Sequence, residues 1–229
     1  MANRGDDVKQ ALLFDLDGTL VDSDSDHLVA FQKVFAPLGV NLDRAQYASH
    51  IMGASNTMIG ERFLSHLSPE RRAEVLDAKE EAYRAGLGAL TATPGAAELL
   101  EYAEAAGLPC AVVTNAPRAN AEKVLEAIGL AARLRIVVIG GELVRAKPDP
   151  LPYLTGLELT GASAEASVAF EDSLSGVRAA AAAGIAVVGL TTGLTEERLV
   201  AAGAAFAVED FADRRIYELI EARRGESRK

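Results

Sequence analysis

"ALLFDLDGTLVDS", Ala11 to Ser23, is the stretch from which the rest of this chain can be read. Four apolar residues lead directly into Asp15 and Asp17, one residue apart, and then into Gly18 and Thr19. A strand buried on both faces has no use for paired carboxylates at its end. A site that handles a cation and an anion together does. Gly18 permits the sharp turn that exposes both acids, and Thr19 is expected to orient Asp17 by a hydrogen bond.

Working outward, further short apolar runs recur, each followed by a turn and a helical pattern: "PCAVVTN", "RIVVIGG", "SVAFEDS", "GIAVVGL" and, more weakly, "AAFAVED". Val, Ile, Ala and Leu without polar alternation predict strands buried on both faces. The amphipathic segments Ala96–Ala106, Ala119–Ile128 and Ser173–Ala183 lie between them. Strand and helix in alternation predict an α/β fold with a doubly wound parallel sheet.

One interval breaks the rhythm. Between about Asp24 and Ala92 only helical patterns occur, including "DHLVAFQKVFAPLG" and "SPERRAEVLDAKEEAYRAGLGAL". Ser68 is placed to cap the latter helix, with Pro69 at its first position. Residues 23–92 are therefore predicted as an all-helical insert, and 1–22 with 93–229 as the core. Pro94 and Gly95 mark the return to the core, and Thr93 is expected to cap the next helix.

The bulk numbers set limits. The chain has 229 residues, 49% of them apolar, enough for one large domain or a core with an inserted module. A formal charge of −10 argues against nucleic acid or an anionic membrane surface as partner. The single cysteine, Cys110, excludes an intramolecular disulfide and fits a reducing cytoplasm. The N-terminal "MANRGDDVKQALLF" puts acidic residues ahead of a short apolar run, unlike a secretory signal. No apolar run approaches the ~20 residues of a bilayer span. A cytoplasmic monomer or homodimer is expected, with a frayed "EARRGESRK" tail.

Ligands of parallel sheets bind beyond the carboxyl ends of the strands. The polar residues predicted there are Asp15 and Asp17, Thr114 and Asn115, Glu171 and Asp172, and Lys147 within "RAKPDP". Carboxylates converging in one crevice repel by about 4 kcal/mol per pair at ~4 Å and an effective dielectric of ~20. A hard divalent cation removes that penalty, and carboxylate oxygens suit Mg²⁺. Acids, a lysine and a hydroxyl around Mg²⁺ make a phosphoryl site. One aspartate can attack phosphorus while its neighbour serves as acid and then base.

The motifs "DLDGT", "VVTN", "KPDP" and "EDSLSGVRAAAAAG", in this order across nearly the whole chain, resemble the haloacid dehalogenase superfamily, in the phosphatase branch with a helical cap inserted after the first motif. The resemblance implies Asp15 as nucleophile, Asp17 as general acid/base, Thr114 as a phosphate ligand with Asn115 beside it, and Lys147 as the third motif's cation. It also implies Mg²⁺ held by Asp15, Asp172 and the backbone carbonyl of Asp17, with Glu171 assisting. The presence of Asp17 argues against dehalogenase and phosphonatase chemistry, because those groups lack that acid. His27 falls where the β-phosphoglucomutases carry a cap-hinge histidine, but Met52 and Asn56 stand where mutases carry lysine and arginine.

The expected activity is Mg²⁺-dependent hydrolysis of a small phosphorylated metabolite, of sugar phosphate or phosphoglycolate type, through an aspartyl-phosphate. A β-phosphoglucomutase-like phosphomutase is the alternative, and a receiver-like phospho-acceptor module is a third reading, disfavoured by Asp17 and the cap. Burial and nearby negative charge are expected to keep Asp17 partly neutral. Ser23 and His27 read equally as cap packing or substrate contact. Ser55 and Asn56 fit a substrate-facing loop or a helix start, and Arg118 fits phosphate contact or solvent.

Overall fold

A computed structural model describes residues 9–226. Residues 1–8, within the N-terminal stretch read above as unlike a leader, lie outside the described residues, as do the last three of the expected frayed tail.

The first strand, β1 (Leu12–Phe14), is followed by four helices: α1 (Asp24–Phe35), α2 (Arg44–His50), α3 (Asn56–Phe63) and α4 (Pro69–Gly86). The chain continues through α5 (Ala96–Ala106), β2 (Cys110–Thr114), α6 (Arg118–Ala127), β3 (Ile136–Ile139), α7 (Leu151–Thr160) and β4 (Val168–Glu171). It ends with α8 (Leu174–Ala182), β5 (Ala186–Leu190), α9 (Glu196–Ala202), β6 (Phe206–Val208) and α10 (Arg214–Glu226). Residues 221–226, expected to fray, thus extend the last helix.

The six strands form one parallel sheet in the order β3-β2-β1-β4-β5-β6. Phe14 pairs with Val112 on one side and Phe170 on the other, so β1 sits centrally. The strand order reverses between β1 and β4, and this is where an open α/β sheet leaves a crevice. Apolar side chains cover both faces: Leu12, Phe14 and Val112 face one cluster, Leu13, Val113 and Ala169 the other. Burial on both faces is what the unalternating apolar runs demand.

The helices of 24–86 pack around a third apolar cluster, including Phe31, Phe35, Ile59 and Leu76. Two short bridges tie this segment to the sheet end. Val21 pairs antiparallel with Ala92, where the chain leaves and returns, and also bridges Asp17. Ser68 caps α4 as expected, accepting from the Arg71 amide. Thr93 does not cap α5: Gly95 holds that position, and the Thr93 hydroxyl donates to the Thr19 carbonyl at 2.6 Å. The threonine instead fastens the returning segment to the turn after β1. Among the described residues, no helix is long and apolar enough to cross a membrane.

Candidate active site

Strand ends deliver the acids. Asp15 follows β1 directly, Glu171 ends β4 and Asp172 follows it, so adjacent parallel strands bring both motifs to one crevice. Oxygens of Asp15, Glu171 and Asp172 lie within 4.8 Å of one another, and all three residues are buried. Lys147 reaches in from the loop after β3. Its Nζ donates to Asp15 Oδ1 at 2.6 Å and to Glu171 Oε1. The Tyr153 hydroxyl, from α7, also donates to Glu171 at 2.7 Å.

Three buried carboxylates against one ammonium leave an excess of negative charge. Burial and the Glu171 charge push the Asp15 carboxyl up to about 7, despite the pull of Lys147. Burial and the charges of Asp15 and Glu171 hold Asp172 well above the ordinary carboxylate range. The named side-chain partner of Asp172 is the Thr19 hydroxyl, which donates to Oδ1 at 3.0 Å. Thr19 therefore serves Asp172, not Asp17 as the sequence predicted. The reason is the left-handed turn at Gly18 (φ 80°), where a Cβ would collide with the Asp172 carboxylate. The three carboxylates, converging and mutually repelling, fit a hard divalent cation.

Asp17 has a different environment. Its Oδ1 accepts from the Ser23 hydroxyl at 2.6 Å and faces His27 Nε2 at 3.2 Å. Burial alone would raise its pKa, but the His27 ring and Ser23 outweigh it and bring Asp17 below its ordinary value. The expectation of a partly neutral Asp17 is thereby corrected: Ser23 and His27 stabilise the carboxylate. Because Ser23 gives its hydroxyl to Asp17, it makes no side-chain cap to α1.

Behind His27 runs a buried polar chain. Lys79 Nζ donates to His27 Nδ1 at 2.9 Å and pairs with Glu80 Oε2 at 3.1 Å. Glu80 also accepts from Asn56 Nδ2 at 2.9 Å and from Asn120 Nδ2, in α6 of the core, at 2.6 Å. Tyr83 stacks on the His27 ring with centroids 3.8 Å apart. Lys79 and Glu80 are 3% and 4% exposed, values reached only when charges are paired.

A cavity of about 70 Å³ joins the two groups, lined by Asp15, Asp17, Thr114, Asn115 and Lys147 from the core and by His27, Asn56, Lys79 and Glu80 from the insert. Not every predicted residue faces it in the same way. The Asn115 amide is committed to backbone, donating to the Gly53 and Lys147 carbonyls and accepting from the Lys147 amide. Ser175 donates to the same Gly53 carbonyl at 2.6 Å. The loop of the insert docks there because Gly53 has no side chain; a Cβ would strike Ser173. Ser55 caps α3 through the Met58 amide and is not among the cavity-lining residues. Arg118 also lies off the cavity, paired bidentately with Glu142 at 2.8 and 2.7 Å.

Sequence reasoning missed Lys79, Glu80, Asn120 and Tyr153. One signal was available for the first two. Val75, Leu76, Lys79, Glu80 and Tyr83 form the buried stripe of α4, so the charged pair interrupts an apolar face at helical spacing.

Comparisons with known proteins agree with this geometry. The family model "Haloacid dehalogenase-like hydrolase" matches residues 12–190. Protein CbbY of Cupriavidus necator is 37% identical over 195 residues, 78% of this chain and 77% of its own. The validoxylamine A 7'-phosphate phosphatase of Streptomyces hygroscopicus subsp. limoneus is 33% identical over 195 residues, 83% of this chain and 89% of its own. The crystal structure of a CbbY mutant from Rhodobacter sphaeroides, in complex with xylulose-(1,5)bisphosphate, superposes with a TM-score of 0.78 at 31% identity, covering 90% of this chain and 96% of that one. A crevice of converging strand-end carboxylates and a family match over most of the length lead to one conclusion: this chain belongs to the haloacid dehalogenase-like hydrolases, as a phosphoric monoester hydrolase.

Proposed function

We propose that the protein is a Mg²⁺-dependent phosphatase of a small phosphorylated metabolite, working through an aspartyl-phosphate on Asp15. The observation that carries this reading is the unequal support of the two neighbouring acids. Asp15 is gripped by Lys147 among other carboxylates, whereas Asp17 is held by Ser23 and His27.

Asp15 attacks phosphorus in line, forming a new Asp15 O–P bond as the bond to the leaving oxygen breaks. Asp17 delivers a proton to that oxygen, and the anionic phosphoryl group arriving beside it favours its protonated form. Asp17 then takes a proton from water, which attacks the acyl phosphate and frees Asp15. Lys147 steers the nucleophile, and Thr114 offers its hydroxyl to the phosphoryl oxygens. Asp15 and Asp172, with Glu171 beside them, would hold Mg²⁺, which when bound neutralises phosphate charge. Residues 23–92 act as a cap that carries Ser23 and His27 onto Asp17 and shields the crevice from water.

Hydrolysis is favoured over mutase chemistry because Met52 and Asn56 supply no cations for a second phosphate. A signalling role is disfavoured because Asp17 stands ready to hydrolyse the phosphoenzyme. We read the protein as cytoplasmic, as monomer or homodimer, in keeping with its single cysteine and formal charge of −10. A phosphate-release assay over a panel of small esters, with Mg²⁺ and with chelator, tests the proposal. Release with Mg²⁺ alone is expected; equal release in chelator, or none from any ester, refutes it.

A further inference from the structure

The insert turns charge into the cavity, but that charge is already spoken for. Among the described residues, Lys79 is the one lysine or arginine that the insert contributes to the lining. Its ammonium is divided between His27 Nδ1 and Glu80 Oε2, and it sits 4.3 Å from the Phe31 ring centroid. Among the described residues, the insert therefore offers the cavity no cation whose charge is not already balanced by a carboxylate. Two carboxylates, Asp24 and Glu80, face the same side. Asp24 Oδ1 accepts from the Tyr47 hydroxyl at 3.0 Å.

Glu80 is the more telling of the two. Asn56, Lys79 and Asn120 fix it at the seam between insert and core. A carboxylate has about four lone-pair sites, so three named donors leave about one acceptor position open on a rigidly held group. That position suits a substrate hydroxyl. Because Glu80 already balances the Lys79 charge, a substrate anion entering there would add a buried negative charge with no insert cation left unbalanced to meet it.

Resting on the phosphatase reading, we infer that Glu80 is a specificity-determining residue which selects monophosphate esters whose alcohol half carries neutral hydroxyl groups. Esters bearing a second phosphate or a carboxylate are rejected. The chain thereby differs from its Rhodobacter sphaeroides relative, whose structure contains a bisphosphate.

The test compares kcat/KM for a hexose monophosphate, the matching hexose bisphosphate and phosphoglycolate, with p-nitrophenyl phosphate as a reporter of turnover alone. The wild-type protein is expected to prefer the monophosphate over both anionic esters by about tenfold or more. Glu80→Gln, which keeps the shape and removes the charge, is expected to narrow that ratio about tenfold. A general loss of turnover cancels in the ratio. Met52→Lys supplies an independent arm by adding a cation to the lining, and it should raise kcat/KM for the bisphosphate relative to the monophosphate. A wild-type preference for bisphosphate or phosphoglycolate overturns the inference, as do ratios unmoved in both variants. Phosphate release from none of the esters, p-nitrophenyl phosphate included, fails the phosphatase reading itself and removes the inference with it.

Discussion

The core and the insert both bring buried charge to one cavity, but they treat it in opposite ways. On the core side, Asp15, Glu171 and Asp172 converge with Lys147 as the single ammonium among them. Two of those acids are pushed upward in pKa by burial and mutual repulsion. On the insert side, Lys79, Glu80, His27 and Asn56 satisfy one another in a continuous chain. An unbalanced cluster suits the proposed uptake of a cation and an anionic phosphoryl group. A balanced one suits the proposed positioning and selection. Asp17 stands at the join: it belongs to the first motif by sequence and to the insert by its hydrogen bonds.

The largest expected break falls on the core side. Asp15→Asn removes the proposed nucleophile and should lower kcat at least ~10³-fold while the far-ultraviolet circular dichroism spectrum stays native. Comparable activity in that variant would overturn the assignment of the nucleophile. On the insert side, Lys79→Met cuts the support behind His27 and loosens Asp17. Turnover should fall roughly 10–100-fold, within the range of general acid–base contributions, with Mg²⁺ affinity by calorimetry unchanged. A loss of metal affinity in that variant would erase the proposed separation between the two regions.

Acidity sharpens the comparison further. Asp15 is about 7 in the folded chain and near its ordinary 3.8 when unfolded. Between those values the folded state binds more protons than the unfolded one, so metal-free stability falls as pH rises from about 4 to 7. Asp172, also raised, adds in the same direction. Asp17 is lowered, so its contribution is present above its ordinary value and is lost only below about pH 4, outside that window. In chelator, the melting temperature at pH 7.5 should lie several degrees below that at pH 5, at about 2–4 °C per kcal/mol for a chain this long. Divalent cation should close the gap; a gap of the same size with the ion present contradicts the proposed metal site. The smallest effect belongs to Arg118→Ala. Its partners are surface carboxylates, so stability should change by about 0.5 kcal/mol or less and kcat/KM by less than about twofold.

The same contrast explains what the sequence disclosed. In a parallel sheet a polar residue ending an apolar run has one destination, the crevice beyond the strand. Asp15, Thr114 and Asp172 were therefore legible from position alone. Helices give a weaker signal, because a charged residue on a helix normally faces water and only its place within an apolar stripe marks it as buried. Lys79 and Glu80 are buried only because Asn56 in α3 and Asn120 in α6 arrive from elsewhere to meet Glu80. Hydroxyls near turns were assigned to sequence neighbours, but Thr19 serves Asp172, 153 residues away, and Thr93 serves the Thr19 carbonyl. Arg118 fits phosphate contact or solvent in sequence, and in the fold it pairs with Glu142. In each case the deciding partner was remote in the chain.

The division of roles between Asp15 and Asp17 is tested most directly by intact-mass analysis of Asp17→Asn after mixing with p-nitrophenyl phosphate and Mg²⁺ and quenching in acid. An asparagine cannot take the proton from water, so the variant should retain the mass of one phosphoryl group, mapped by proteolysis to Asp15. A variant that turns over as fast as the parent, or a phosphoryl group found on any other residue, would contradict it.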